Sequence, residues 1–98
     1  MADTKPHKDK VILITGAGQG VGEGTARYLA ARGAILSLSD ITEKTVTAVA
    51  QSLRDEFPES QAVSHVVDVR DPAAVKTWVE TTKERFGRID GCVNNAGA

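Results

Sequence analysis

The sequence predicts an α/β fold in which a parallel sheet is covered by helices, arranged as half of a doubly wound fold. Two observations predict it. Short apolar segments alternate with longer segments that carry apolar residues at helical spacing, and a glycine-dense turn follows the first apolar segment. Strands that alternate with helices are typical of parallel sheets with crossover connections. Right-handed crossovers then predict the element order βαβαβαβ with the strands arranged 3-2-1-4.

The first half of the chain supplies two strands and two helices. Val11–Ile14 is a continuous apolar run, which is typical of a strand covered on both faces. A helix is predicted over about residues 20–32, ending at Gly33, because glycine readily adopts the left-handed conformation of a helix C-terminus. Residues 34–39 form the second predicted strand. Residues 42–57 form the second predicted helix, since their apolar positions follow one helical stripe.

The second half repeats this arrangement. Residues 62–69 are predicted to form the third strand. Asp71 followed by Pro72 indicates an N-cap and a first helical position, and Gly87 ends the third helix. The buried stripe of that helix is predicted to consist of Val75, Trp78, Val79, Thr82 and Phe86. The fourth strand, over residues 89–93, is short and contains a glycine.

Composition limits the classes of function. The 98 residues suffice for one small domain, and 41% of them are hydrophobic. A formal net charge of −1 provides no basic field for nucleic acid, and no segment reaches the length of a membrane span. Cys92 is the only cysteine, so an intrachain disulfide and a site built on paired thiols are both excluded. We expect Cys92 to be buried, and the protein to be cytoplasmic and to bind neither metal, membrane nor nucleic acid.

The turn after the first strand has the spacing T-G-x-x-x-G-x-G over positions 15–22. Gly16 is expected to form the turn that leaves the strand. Gly20 would let the backbone approach a pyrophosphate, and Gly22 would let the helix lie close to the sheet. The helix N-terminus would direct N–H donors and a positive dipole at the anion. Glycine-rich turns of this kind also occur without a ligand.

Two acids follow predicted strands. Asp40 ends the second strand, where a carboxylate can accept hydrogen bonds from the adenosine ribose and would repel a 2′-phosphate. This favours NAD over NADP. The alternative is that Asp40 only caps the next helix or solvates a turn. Asp68 ends the third strand, where it could accept from the adenine amino group or serve as a turn residue.

Four segments in chain order resemble the N-terminal half of the short-chain dehydrogenase/reductase family. They are TGAGQGVG at positions 15–22, Asp40, the pair Asp68-Val69, and NNAG at positions 94–97. The resemblance covers about residues 10–98 and implies a Rossmann-type, dinucleotide-binding sheet. It also implies that hydrogen bonds from Thr15 to Asn94 and Asn95 join the first and fourth strands.

The resemblance assigns a part of the cofactor to each segment. Gln19 and Val21 would lie along the pyrophosphate and nicotinamide side, and Asp68 and Val69 would flank adenine. Residues of the NNAG motif would line the adenosine ribose region. The predicted cofactor-binding residues are therefore Gly16, Gln19, Gly20, Val21, Gly22, Asp40, Asp68, Val69, Asn94, Ala96 and Gly97.

The family's catalytic tyrosine, the lysine four residues later, its serine and a further asparagine belong to positions beyond NNAG. The only tyrosine here, Tyr28, lies inside the first predicted helix and cannot take that role. We therefore expect a flexible lead-in over residues 1–9 and a dinucleotide-binding half-domain over residues 10–98, truncated after NNAG. The chain alone is predicted to be inactive, as the cofactor-binding portion of an NAD(P)-dependent oxidoreductase that acts on an alcohol or carbonyl substrate.

Two other classes remain open. A non-catalytic nucleotide-binding or interaction module would use the unpaired edge of the fourth strand for self-association, since an open edge is a template for pairing. A methyltransferase would share the glycine turn and the acid after the second strand, but it would not account for NNAG. Substrate, reaction direction and oligomeric state leave no signal in this sequence.

Overall fold

The computed structural model describes residues 8–95, which form four strands and three helices in the predicted alternation. None of these helices is long and apolar enough to cross a membrane. In chain order the elements are β1 Val11–Ile14, α1 Gly20–Ala31, β2 Ile35–Asp40, α2 Glu43–Glu56, β3 Ala62–Val66, α3 Pro72–Phe86 and β4 Gly91–Val93.

All strand pairs in the sheet are parallel, and the order β3-β2-β1-β4 confirms the predicted topology. The chain moves outward from β1 to β2 and β3, then crosses back to the other side of β1. Because crossovers are right-handed, this reversal puts α1 and α2 on one face and α3 on the other. The register aligns Ile14 with Leu38 and Val93, so three strands end at the same edge.

The core follows from this division. The larger cluster lies between the sheet and helices α1 and α2, and includes Leu36, Leu38 and Leu53. The smaller cluster lies on the α3 face and consists of Leu13, Val67 and Trp78, with partly buried neighbours. Burial on both faces explains why β1 has no polar residue.

The predicted end signals of α1 and α3 are confirmed. Asp71 accepts hydrogen bonds from the N–H groups of Ala73 and Ala74, at 3.1 and 3.3 Å, and Pro72 occupies the first helical position. Gly87 ends α3 with a φ of 82°, and Gly33 follows α1 with a φ of 90°. Both values lie in the left-handed region, which costs a glycine little.

Two strands, β3 and β4, are shorter than predicted. β3 ends at Val66 rather than residue 69, because the Asp68 carboxylate accepts the N–H of Arg70 and turns the chain. β4 begins at Gly91 rather than residue 89. There the carboxylate of Asp90, rather than a backbone carbonyl, accepts the N–H of Val11 at 2.8 Å.

The prediction that Cys92 is buried was wrong: its side chain is exposed. Cys92 pairs in register with Leu13 on the α3 face of the sheet. Among the described residues β4 is one of the two edge strands, and α3 packs over Leu13 and Val67 without covering Cys92.

A buried hydrogen-bond network fastens α3 to β2. The indole N–H of Trp78 donates to Ser37 Oγ at 2.8 Å, and Thr82 Oγ1 donates to the carbonyl of Trp78 at 2.9 Å. Ser37 Oγ and Thr82 Oγ1 are 2.8 Å apart. Since each hydroxyl has one proton, Ser37 must be the donor to Thr82. Every donor in the network is then satisfied.

Replacing Ser37 with alanine is expected to lower the free energy of unfolding by about 1–3 kcal/mol, because it removes the acceptor of the buried Trp78 N–H. Ser64→Ala is the matched control, since Ser64 is a partly buried serine on the neighbouring strand β3. Urea unfolding followed by circular dichroism measures both. Equal losses in the two variants would show that the Ser37 network adds nothing specific.

Candidate functional site

A cleft of about 540 Å³ lies at the carboxyl edge of the sheet. Its lining comes from the segments that follow each of the four strands. This edge contains the point where the strand order reverses, between β1 and β4, and ligands of open α/β sheets bind at such points. The lining residues are Gly16, Gln19, Asp40, Ile41, Val67, Asp68, Val69, Arg70 and Asn95.

The glycine turn is shaped by conformation at two positions and by space at a third. Gly16 and Gly20 have φ values of 63° and 62°, in the region that favours glycine. Gly22 is different. A Cβ atom added there would lie 2.1 Å from the carbonyl oxygen of Gly16 and 2.8 Å from Asn95 Nδ2. The absence of a side chain therefore lets α1 begin directly against the end of β1.

The N-terminus of α1 is exposed at Gln19, Gly20 and Val21. Its first-turn N–H groups have no acceptor within the helix, and the side chain of the N-cap residue Gln19 makes no hydrogen bond to them. The side chain of Val21 is 74% exposed. Gln19 lines the cleft, whereas Gly20 and Val21 do not contribute to its described lining. The α1 dipole makes this end of the helix favourable for an anion.

The turn is also fastened to the end of β2. The N–H of Ala17 donates to the carbonyl of Ser39 at 2.9 Å, and the N–H of Gly18 donates to Asp40 Oδ2 at 2.8 Å. The N–H of Thr42 donates to the other carboxylate oxygen at 3.3 Å. Asp40 therefore has the local turn contact considered as its alternative role, while it also lines the cleft.

Sequence reasoning missed Gly18, which is not one of the three glycines of the spacing pattern. A Cβ atom at Gly18 would lie 2.5 Å from Thr45 Oγ1 and 2.7 Å from Asp40 Oδ2. The available signal was the density of glycine in the turn, which did not indicate a contact with residues 22 and 27 positions away.

On the opposite wall, Asp68 forms an ion pair with Arg70. The guanidinium donates from Nε to Oδ1 at 3.0 Å and from Nη2 to Oδ2 at 2.9 Å. These hydrogen bonds lower the pKa of Asp68 to about 2, so the carboxylate is charged at neutral pH. Arg70 was also missed by sequence reasoning, although it lies only two residues from Asp68. Val69, between them, also lines the cleft.

The lowered pKa of Asp68 predicts a pH-dependent contribution to stability. Its folded-state pKa lies near 2 instead of the ordinary 3.8, so this contribution is present above about pH 4 and is lost as the pH falls toward 2. Asp68→Asn removes the titrating group, and the variant should lose less stability than the unmodified protein over that interval. Urea unfolding at several pH values tests this, and parallel losses would contradict it.

The motif at the end of the described chain connects β1 and β4. Thr15 Oγ1 donates to Asn94 Oδ1 at 3.2 Å and accepts the backbone N–H of Asn95 at 2.8 Å. The predicted link between the strands is thereby confirmed. Asn95 lines the cleft, whereas the exposed Asn94 is engaged with Thr15. Ala96 and Gly97, also predicted to bind the cofactor, lie outside the described residues.

Together these features identify the class of protein to which the domain belongs. A glycine turn opening a helix, an acid after β2 and a cleft at the reversal of strand order are typical of Rossmann-type nucleotide-binding domains. The sequence model for short chain dehydrogenases matches residues 10–98. The chain belongs to the short-chain dehydrogenase/reductase family, which confirms the resemblance drawn from its motifs.

Known relatives match nearly the whole length of this chain, and the solved structures among them share its fold. Levodione reductase of Leifsonia aquatica is 47% identical over 94 residues, covering 96% of this chain and 35% of that protein. The crystal structure of NAD⁺-bound xylitol dehydrogenase has a TM-score of 0.89 at 36% identity, covering 96% of this chain and 35% of the other. L-Sorbose reductase from Gluconobacter frateurii, complexed with NADPH and L-sorbose, has a TM-score of 0.89 at 33% identity, covering 99% and 36%. The chain spans about a third of the length of these relatives.

Proposed function

We propose that this chain is the NAD-binding part of an oxidoreductase that acts on an alcohol or carbonyl group. The observation that carries the choice of NAD is the carboxylate of Asp40, which lines the cleft at the end of β2. A 2′-phosphate on the ribose would meet this negative charge, whereas a 2′-hydroxyl would meet a hydrogen-bond acceptor. Relatives in the family bind either cofactor, as the NAD⁺-bound and NADPH-bound structures show for those proteins.

The residues present fit a dinucleotide. The close approach of α1 to β1 at Gly22 leaves the first-turn N–H groups at the mouth of the turn, where a diphosphate would accept their hydrogen bonds. In this proposal Gln19 and Val21 flank the diphosphate, Asp40 holds the ribose, and Asp68 with Val69 flanks adenine. Asn94, with Ala96 and Gly97, lines the ribose region. When bound, the nicotinamide would accept or donate a hydride.

The proton chemistry would come from outside this chain. Tyr28 lies on the surface of α1, 56% exposed, and its ring stacks under the Arg32 guanidinium with 3.4 Å from the Arg32 Cζ to the ring centroid. Tyr28 does not line the cleft. We propose that the family's tyrosine and lysine follow NNAG in the complete protein, and that the 98 residues alone produce no NADH from any alcohol.

Isothermal titration calorimetry tests the proposal with NAD, NADP and adenosine diphosphate as separate ligands. We expect NAD to bind more tightly than NADP. Folded protein that releases no heat with any of the three would refute dinucleotide binding, and equal affinities for NAD and NADP would refute the assignment of Asp40. NADH formation by the 98 residues alone would refute the proposed inactivity.

A second candidate, an interaction module, is favoured by one observation. Within the described residues β4 pairs only with β1, so its other edge offers unpaired backbone groups beside the exposed Cys92. A second copy of the chain would cover that edge. Size-exclusion chromatography with light scattering tests this: a defined dimer supports the module, and a monodisperse monomer contradicts self-association.

A further inference from the structure

We propose that Gly18 is a specificity-determining position that sets the choice of cofactor through Asp40. Its N–H holds one carboxylate oxygen, and its missing side chain leaves the space that this carboxylate occupies. The inference rests on the proposed function, because it concerns how Asp40 distinguishes the two dinucleotides. It assigns part of that distinction to the glycine turn rather than to the acid alone.

The first support is the way the carboxylate is held. Gly18 N–H donates to Oδ2 at 2.8 Å, and Thr42 N–H donates to Oδ1 at 3.3 Å. One donor comes from the turn after β1 and the other from the start of α2, so the carboxylate is held between two elements. Each oxygen has two lone-pair directions and keeps one acceptor site for a ribose hydroxyl.

This restraint matters for discrimination. A carboxylate on a free side chain could rotate away from a 2′-phosphate and lose most of the repulsion. Rotation of Asp40 would break the hydrogen bond from Gly18, and hydrogen bonds to charged groups contribute more than neutral ones. The bond from Gly18 therefore keeps the negative charge where the two cofactors differ.

The second support is the space at Gly18. An added Cβ would lie 2.7 Å from Asp40 Oδ2 and 2.5 Å from Thr45 Oγ1, both inside normal contact. The φ angle of Gly18 is outside the positive range, so alanine can adopt this backbone. The conflict is with the ends of two side chains, which can move. Gly18→Ala is therefore expected to fold and to displace the Asp40 carboxylate.

The displacement has opposite effects on the two ligands. NAD loses a hydrogen-bond acceptor for its ribose hydroxyls, while NADP loses a repulsion. The ratio of the two affinities therefore changes. General loosening of the turn would instead lower the affinity for NAD and for NADP by the same factor, because the two ligands share the diphosphate and the adenine. The ratio is thus a readout that a purely structural role would not alter.

The experiment measures dissociation constants for NAD and NADP by calorimetry in the purified protein and its variants. We expect Gly18→Ala to raise the dissociation constant for NAD by about 10-fold, as loss of a charge-assisted hydrogen bond predicts. The preference for NAD over NADP should narrow by at least that factor, because NADP also loses a repulsion. Gly24→Ala is the matched control, since no atom lies within 4 Å of a Cβ added there. It should leave both constants unchanged.

A double variant tests whether Gly18 acts through Asp40. In an Asp40→Ser background, Gly18→Ala should not change the ratio further, because the carboxylate is already absent. An additional, independent change in the ratio would overturn the inference. If Gly18→Ala does not fold, the amide resonance of Gly18 gives a second test: Asp40→Ser should shift it, because the N–H then loses its carboxylate acceptor.

The outcomes separate the inference from the proposed function. Absence of dinucleotide binding by the unmodified protein would overturn both. Selective binding of NAD that survives Gly18→Ala with an unchanged ratio, or a Gly18 resonance that ignores Asp40, would overturn the inference and leave the proposed function standing.

Discussion

Replacing Asp40 with serine is expected to reduce the preference for NAD over NADP by about 10–100-fold, equivalent to about 1.5–3 kcal/mol for hydrogen bonds to a charged group. The substitution acts on both ligands. It removes an acceptor for the ribose hydroxyls and the negative charge opposed to a 2′-phosphate. The N–H of Gly18 also loses its carboxylate partner, so it becomes a further donor toward the phosphate.

Calorimetric titration with each dinucleotide measures the change. Asp55→Ser serves as the matched control, because Asp55 is an exposed acid on α2 and does not line the cleft. It changes the net charge of the chain by the same amount as Asp40→Ser. If both variants shift the preference equally, the effect is one of overall charge, and the assignment of Asp40 to the ribose is wrong.

Replacing Gly22 with alanine is expected to lower the free energy of unfolding by about 1–3 kcal/mol or more, as overpacking of a rigid contact does. A Cβ there would lie 2.1 Å from the carbonyl oxygen of Gly16. This backbone oxygen, in the turn that leaves β1, cannot move as a side chain can. The N-terminus of α1 would have to shift away from β1, so we also expect weaker binding of both dinucleotides.

Gly24→Ala again provides the comparison, two residues along the same helix. Its Cβ would enter open space, so the variant should gain up to about 1 kcal/mol from the higher helix propensity of alanine. Thermal unfolding followed by circular dichroism should therefore move in opposite directions for the two variants. A Gly22→Ala protein as stable as the unmodified one would disprove the close contact of α1 with Gly16, in the turn after β1.

The Gly22 and Asp40 variants should have distinguishable phenotypes. Gly22→Ala should lower affinity for both cofactors and lower stability. Asp40→Ser should change the ratio of the two affinities, and its cost in stability should be limited to the loss of the hydrogen bonds from the N–H groups of Gly18 and Thr42. Measuring stability and the ratio of affinities together therefore separates positions that build the turn from positions that select the ligand.

The fold could be predicted because its signals are local. Pro72 and Gly87 mark the ends of α3 by their own backbone geometry, and the continuous apolar run of β1 indicates burial on both faces. The strand order follows from chirality once the alternation of elements is recognised. The strand boundaries near Asp68 and Asp90 were less predictable, because the side chains of these two acids accept backbone N–H groups there.

Serines on β2 illustrate what a pattern of single residues does not indicate. The alternation of leucine with Ser37 and Ser39 is typical of a strand with one solvated face. Both serines are fully buried beneath the α3 face of the sheet. Ser37 tolerates burial because Trp78, 41 positions away, supplies a donor, and Thr82 supplies an acceptor. The exposure of Cys92 has the same origin, since it depends on which element covers an edge strand.

The amino-acid sequence by itself determined the alternation of elements, the strand order and the location of a cleft between a glycine turn and two acids. Those features depend on neighbours within a few positions, or on handedness that all L-amino acids share. Only the tertiary structure decided that the N–H of Gly18 holds the Asp40 carboxylate and that Ser37 is buried against α3. Such contacts depend on distances across the folded chain, down to tenths of an ångström, which the spacing of residues along the sequence does not specify.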